Sequence, residues 1–184
     1  MLCGFSMNSR ALCIPFLCVF LFPGVIYATD FDLLISQRVK QASNTSTPAS
    51  ILRQLAKDDS ELVRVAVASN RRAPEEVYLQ LSFDNSADVR MALALNIDVP
   101  EQAKLNLARD KNHDVRLRAA KCGYMYPSVL KILATDHSVE VRQLVAANYN
   151  STAEILTMLI NDPHSIVRNT AKQHPNFPTS NNDE

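Results

Sequence analysis

Glycine and tryptophan are nearly missing from this 184-residue chain, which has three glycines, no tryptophan and only 7% aromatic residues. Such a composition argues against an all-β fold rich in tight turns and for a helical one. Net charge is absent as well. Nineteen Lys and Arg balance nineteen Asp and Glu, so no global field draws the chain to nucleic acid or to an anionic membrane. Cysteine is scarce where it counts: Cys3, Cys13 and Cys18 fall within the first 28 residues and only Cys122 lies beyond them. One cysteine makes neither an internal disulfide nor a four-thiolate metal or iron–sulfur site. No glycine-rich phosphate loop, nucleophile elbow or HExxH occurs, so no catalytic residue, metal ligand or cofactor site is assigned. Hydrophobic residues, at 47%, suffice for a core.

A long uncharged run occurs once, as "ALCIPFLCVFLFPGVIYA" (11–28) behind Arg10. A basic start, an apolar middle and a small residue at the cut, Ala28, form a secretory signal. Met7 is an alternative start that keeps Arg10 in a short leader, and Ile26 is larger than the residue usual at its place before the cut. An uncleaved membrane anchor is the alternative reading, but the run is short for a bilayer and holds Pro15 and Pro23. The bulky "PFL" before Cys18 argues against lipid attachment there. The expectation is an exported protein, periplasmic or secreted, that begins at Thr29 and has no membrane contact after cleavage.

What the chain does have is a period. "DDSELVR" (58–64), "DNSADVR" (84–90), "DKNHDVR" (110–116), "DHSVEVR" (136–142) and "DPHSIVR" (162–168) start 26 residues apart. Leu recurs at 55, 81, 107, 133 and 159, and Val at 63, 89, 115, 141 and 167. Ala fills 68, 94, 120 and 146 before Lys172, and Asn fills 70, 96 and 148, interrupted by Cys122 and ended by His174. Pro opens units at 48, 74 and 100, slips to Pro127, and gives way to Thr152. Five units follow: 48–73, 74–99, 100–125, 126–151 and 152–177. Each has room for two brief helices, which cannot bury an apolar stripe alone but share one core when stacked. The fold class expected is all-α, a right-handed α–α superhelix of five helical pairs.

The polar columns have a structural reading. Asp58, Asp84, Asp110, Asp136 and Asp162 sit in the turn between the helices of a unit, and Arg64, Arg90, Arg116, Arg142 and Arg168 sit in the first turn of the second helix. The carboxylates are expected to accept from amides at that helix start and to meet a guanidinium of the same or the adjacent unit, as a ladder along one edge. Ser86 is expected to cap its helix. Asn70, Asn96 and Asn148 are expected to end the second helices, with left-handed backbone tolerated and a bond to the following turn.

The pattern LxxDxxxxVRxxxAxN, as in "LSFDNSADVRMALALN" (81–96), resembles HEAT-like repeats, most closely the bacterial leucine-rich repeat variant, over about 48–178. The resemblance implies a curved superhelix with the second helices inside, acting as a scaffold for a protein partner. HEAT-like arrays also include enzymes, among them bilin lyases and alkylpurine DNA glycosylases, so a lyase-like enzyme or subunit is the alternative. Their catalytic groups lie outside the shared columns, and none carries over. The pattern departs at "KCGYMYPS" (121–128).

Outside the array, "DFDLLISQRVKQ" (30–41) places Phe31, Leu34, Ile35 and Val39 on one face, suiting a helix that caps the first unit within 29–47, with "ASNTSTP" as linker. The polar tail 179–184 is expected to be disordered. His113, His137 and His164 lie in turns of successive units, roughly 10 Å apart, too far to share a zinc ion that needs ligands at about 2.0–2.3 Å. Cys122 reads as a small buried filler and His174 as a substitute cap. On the second helices, Met91, Leu95 and Leu117 line up as an apolar strip with Lys121 and Tyr124 at its edge, the expected partner site.

Overall fold

The computed structural model describes residues 23–178, and the expected signal up to residue 22 and the tail 179–184 lie outside them. The chain divides into two compact units, Met1–Leu33 and Leu34–Glu184. Of the first, only the N-terminal part of helix α1 (Pro23–Ser43) is described. The second holds the end of α1 and five helical pairs: α2 (Ala49–Leu55) with α3 (Glu61–Ser69), α4 (Glu75–Leu81) with α5 (Ala87–Leu95), α6 (Glu101–Ala108) with α7 (His113–Lys121), α8 (Pro127–Leu133) with α9 (Val139–Ala147), and α10 (Ala153–Leu159) with α11 (Ser165–Gln173). Among the described residues there is no strand, and no helix is long and apolar enough to cross a membrane.

Helices of seven to nine residues are marginal on their own in water. Packing holds them. The second helices lie side by side in the order α3, α5, α7, α9, α11, each also touching its own first helix. Val63, Val89, Val115, Val141 and Val167 are completely buried, and the Leu column from Leu55 to Leu159 is buried with them. Each such side chain contributes about 1.5–3 kcal/mol over its exposed state, so neighbouring units are stable only together.

The helix starts follow from the columns. Pro48, Pro74 and Pro100 stand at the N-cap, where a missing N–H costs nothing, and Pro127 stands at the first helical position. Thr152 takes the place of proline and supplies a side-chain cap, its Oγ1 accepting from Ile155 N at 3.4 Å. Ser86 caps α5 as expected, accepting from Asp88 N and Val89 N, and Asn112 does the same for α7.

Two expectations are corrected. Asn70, Asn96 and Asn148 end their helices in extended backbone, with φ near −73° and ψ of 118–127°, not left-handed. An extended residue lets the side-chain oxygen fold back onto the amide two residues on, which is the bond these asparagines make. At the front of the array, Ile35 and Val39 pack on the core but Leu34 is 51% exposed, so the apolar face of α1 is narrower than its sequence implies. The side chain of Phe31 lies outside the described residues.

The end of α1 is more than a cap. Arg38, Ala42 and Asn44 stand 26 residues before Arg64, Ala68 and Asn70, and they do the same work. Arg38 pairs with Asp58 at 2.8 Å, Asn70 Nδ2 donates to the carbonyls of Ala42 and Asn44 at 2.6 and 3.1 Å, and Asn44 Oδ1 accepts from Ser46 N. The expected linker therefore contains two residues of the repeat signature, Ala42 and Asn44.

Candidate functional site

Four ladder arginines, Arg64, Arg90, Arg116 and Arg142, each bridge two units. Arg90 donates from Nη1 to the carbonyls of Asp84 and Asn85 in its own turn, at 2.5 and 3.2 Å. Its Nε and Nη2 then grip the carboxylate of Asp110, twenty residues on, at 2.6 and 3.1 Å. Arg64 holds Asp84, Arg116 holds Asp136 and Arg142 holds Asp162 by the same fork. The Oδ1 atom of each aspartate, Asp58 included, also accepts from the backbone N–H two residues later. Charge-assisted, two-point bonds of this kind are the strong ones. Burial pushes Asp84 and Asp136 up, but the hydrogen bonds from Arg64 and Arg116 and from the Ser86 and Ser138 amides outweigh it and hold both carboxyls below the usual range. The hydrogen bond from Arg142 does the same for Asp162.

The asparagine column is a second set of ties. Asn96 Nδ2 donates to the carbonyls of Ala68 and Asn70, and Asn148 Nδ2 to those of Ala120 and Cys122. His174 is the substitute expected: buried, it sets Nε2 at 3.0 Å from the carbonyl of Asn148 while Nδ1 accepts from Asn176 N. Those partners define the tautomer with its proton on Nε2.

Cys122 breaks the column, and Lys104 answers it. An asparagine at 122 would reach the carbonyls of Ala94 and Asn96; in its absence Lys104, completely buried, sends Nζ to the carbonyl of Ala94 at 2.5 Å and of Leu93 at 3.4 Å. The buried Cys122 Sγ lies 4.0 Å from the same nitrogen. Burial lowers the Lys104 pKa to about 8, against a smaller upward pull from Cys122. Lys104 occupies a column otherwise filled by Leu52, Tyr78, Leu130 and Leu156, and that break is the signal by which the sequence marks it. Tyr78 also puts its polar tip on the preceding helix end, its hydroxyl donating to the Asn70 carbonyl at 2.6 Å. Both residues are therefore structural ties.

The five residues of the expected partner strip differ in exposure. Leu95 (45% exposed) and Tyr124 (74%) are open to solvent, as is Lys121. Met91 and Leu117 are half-buried and pack on the core. Ile97 and Tyr149 are further exposed apolar side chains at the turns between units, the edge that carries Leu95 and Tyr124. Ser69, Arg71, Ala92, Leu95, Asn96 and Ile97 line a cavity of about 260 Å³ there.

The opposite, ladder edge carries clefts of about 300 and 450 Å³ between successive turns. Their acidic groups, Asp84, Asp110 and Asp136, are already bonded to arginines. His113 and His137 are exposed, while His164 places Nδ1 3.2 Å from Arg142 Nη2. Among the described residues no cluster of His, Cys, Asp and Glu could hold a metal ion.

No family model matches the chain, and no curated protein matches it. Among solved structures it is similar to one described as "a leucine-rich repeat variant with a novel repetitive protein structural motif", at 26% identity over 69% of this chain, with a TM-score of 0.36. The match spans 61% of that protein's length. The architecture rests on the helical pairs, the ladder and the asparagine ties themselves: the chain is an all-α helical-repeat protein.

Proposed function

We propose that this protein is an exported, non-enzymatic repeat scaffold that binds a protein partner through the face of its second helices and the adjoining turns between units. The observation that carries this reading is a division of labour between the two edges. On the ladder edge the recurring polar groups are bonded to each other and Phe83 is an exposed apolar side chain among them, whereas the other edge presents four, Leu95, Ile97, Tyr124 and Tyr149, to solvent. Aromatic and aliphatic side chains exposed together mark protein contacts. A lyase-like enzyme would need unpaired polar groups converging in a pocket, and the clefts on the ladder edge offer acids that are already bonded to arginines. Export is supported by the uncharged run ending at Ala28.

Because Met91 and Leu117 pack against the core, the partner site is tested at Leu95 and Tyr124, leaving Lys121 unchanged. Captured proteins from the exported fraction of the source cell are compared between wild type and the variant Leu95→Lys with Tyr124→Ala. The expected result is loss of a specific captured protein with helical circular dichroism unchanged; an undiminished capture profile refutes the surface. N-terminal sequencing of the protein made in a bacterial host is expected to start at Thr29, and an uncut product retained in the cytosol refutes export.

A further inference from the structure

Arg168 is the ladder arginine whose outer donors meet no carboxylate among the described residues. Its Nη1 donates to the carbonyls of Asp162 and Pro163 at 2.7 and 2.8 Å. Arg64, Arg90, Arg116 and Arg142 are anchored to their own turns in the same way. In those four, the anchoring leaves Nε aimed at an aspartate of the next unit, at 2.5–2.7 Å. The same fork on Arg168 is held in place with no acid on it among the described residues. A planar guanidinium fixed by two backbone acceptors is preorganised for bidentate carboxylate binding, so little entropy remains to be lost when the acid arrives.

The end of the array also carries a carbonyl pair without the side-chain donor of the inner units, although the His174 carbonyl accepts from Phe177 N at 2.9 Å. Asn96 and Asn148 each donate to two carbonyls of the unit before them, at the alanine and asparagine columns. The corresponding carbonyls of the last unit belong to Lys172 and His174, and no side chain of the described residues donates to either. Asp84 precedes Asn96, and Asp136 precedes Asn148, by twelve residues. Donor fork and carbonyl pair are therefore spaced for one helix that follows an aspartate in its leading turn and ends at an asparagine.

We propose that this end of the array docks a partner protein's helix, with an aspartate in its N-terminal turn on Arg168 and an asparagine twelve residues later on the carbonyls of Lys172 and His174. The interface continues one the chain makes internally at successive steps. It is separate from the exposed apolar edge assigned to partner binding above. The surrounding side chains Asn169, Lys172 and Gln173 are polar, so hydrogen bonds and charge select the partner, not apolar cover. A second copy of this chain does not fit, since its first array acid, Asp58, is already held by its own Arg38.

The probe is a fluorescent, N-acetylated peptide of sequence DHSVEVRQLVAAN, the aspartate-to-asparagine helix of residues 136–148. It is titrated with the full chain up to millimolar concentration and followed by anisotropy. The expected result is saturable binding, weakened at least tenfold when Arg168→Ala is in the protein and when the peptide carries Asp136→Asn. The peptide change leaves the protein untouched, so it decides the matter even if Arg168→Ala loosens α11, which its thermal midpoint reports. Arg168→Lys, which keeps the charge but loses the fork, is expected to weaken binding as well. Deletion of 179–184 is expected to leave binding unchanged. No binding, or binding indifferent to both acid and arginine, overturns the proposal. A tenfold gain on deleting 179–184 also overturns it, because the chain's own tail would then be the occupant.

Discussion

Lys104 shows how one substitution is absorbed by another. Where Cys122 fails to supply an amide to the end of α5, a lysine from α6 takes over the Ala94 carbonyl, and its positive charge sits at the negative end of that helix. The arrangement has a cost that pH reveals. The Lys104 pKa falls from 10.5 to about 8 on folding, so between those values the unfolded chain binds the extra proton and stability rises with pH. Below about pH 8 the folded protein carries a buried cation, at a cost of about 3 kcal/mol by the usual conversion of pKa to free energy. The difference in urea-unfolding free energy between wild type and Lys104→Met is expected to shift by about 3 kcal/mol in favour of wild type from pH 7.5 to 10.5. A difference constant with pH means that Lys104 is solvated. Both breaks in the columns were legible in the sequence. Their mutual compensation was not, because it depends on two side chains 18 residues apart meeting at the end of α5, where Cys122 Sγ lies 4.0 Å from Lys104 Nζ.

At the scale of the helices, the constant period did most of the work. Columns of Leu and Val spaced by 26 residues allowed the helical pairs and their buried faces to be placed before any coordinates. Leu107→Ala empties a completely buried place in the middle unit and is expected to cost about 2–5 kcal/mol, read as a lower urea midpoint; an unchanged midpoint contradicts the core. The end of α1 escaped detection because its signature is worn. Gln37 stands in the valine column and Thr29 in the leucine column, so only Asp32, Arg38, Ala42 and Asn44 keep the register. The asparagine geometry was misjudged for a different reason. A side-chain bond to the amide two residues on is compatible with more than one backbone conformation, and neighbouring carbonyls decide which one is adopted.

For the whole molecule, the recurring polar residues form the connections between units, and the arginine–aspartate forks distinguish the ladder edge from the edge that carries Leu95, Ile97, Tyr124 and Tyr149. The sequence placed Leu95 in an apolar strip of the second helices, with Tyr124 at its edge. It could not separate them from Met91 and Leu117, since exposure between adjacent helices depends on how closely the units approach. The central claim is that the units are locked together by the forked arginine–aspartate bonds. The Arg90–Asp110 pair, whose side chains are 7% and 6% exposed, tests it most directly. Urea unfolding of wild type, Arg90→Ala, Asp110→Ala and the double variant forms a thermodynamic cycle. The account predicts a coupling of about 1.5–3 kcal/mol between the two residues, as for hydrogen bonds to charged groups; single-variant losses that simply add, within about 0.5 kcal/mol, contradict it.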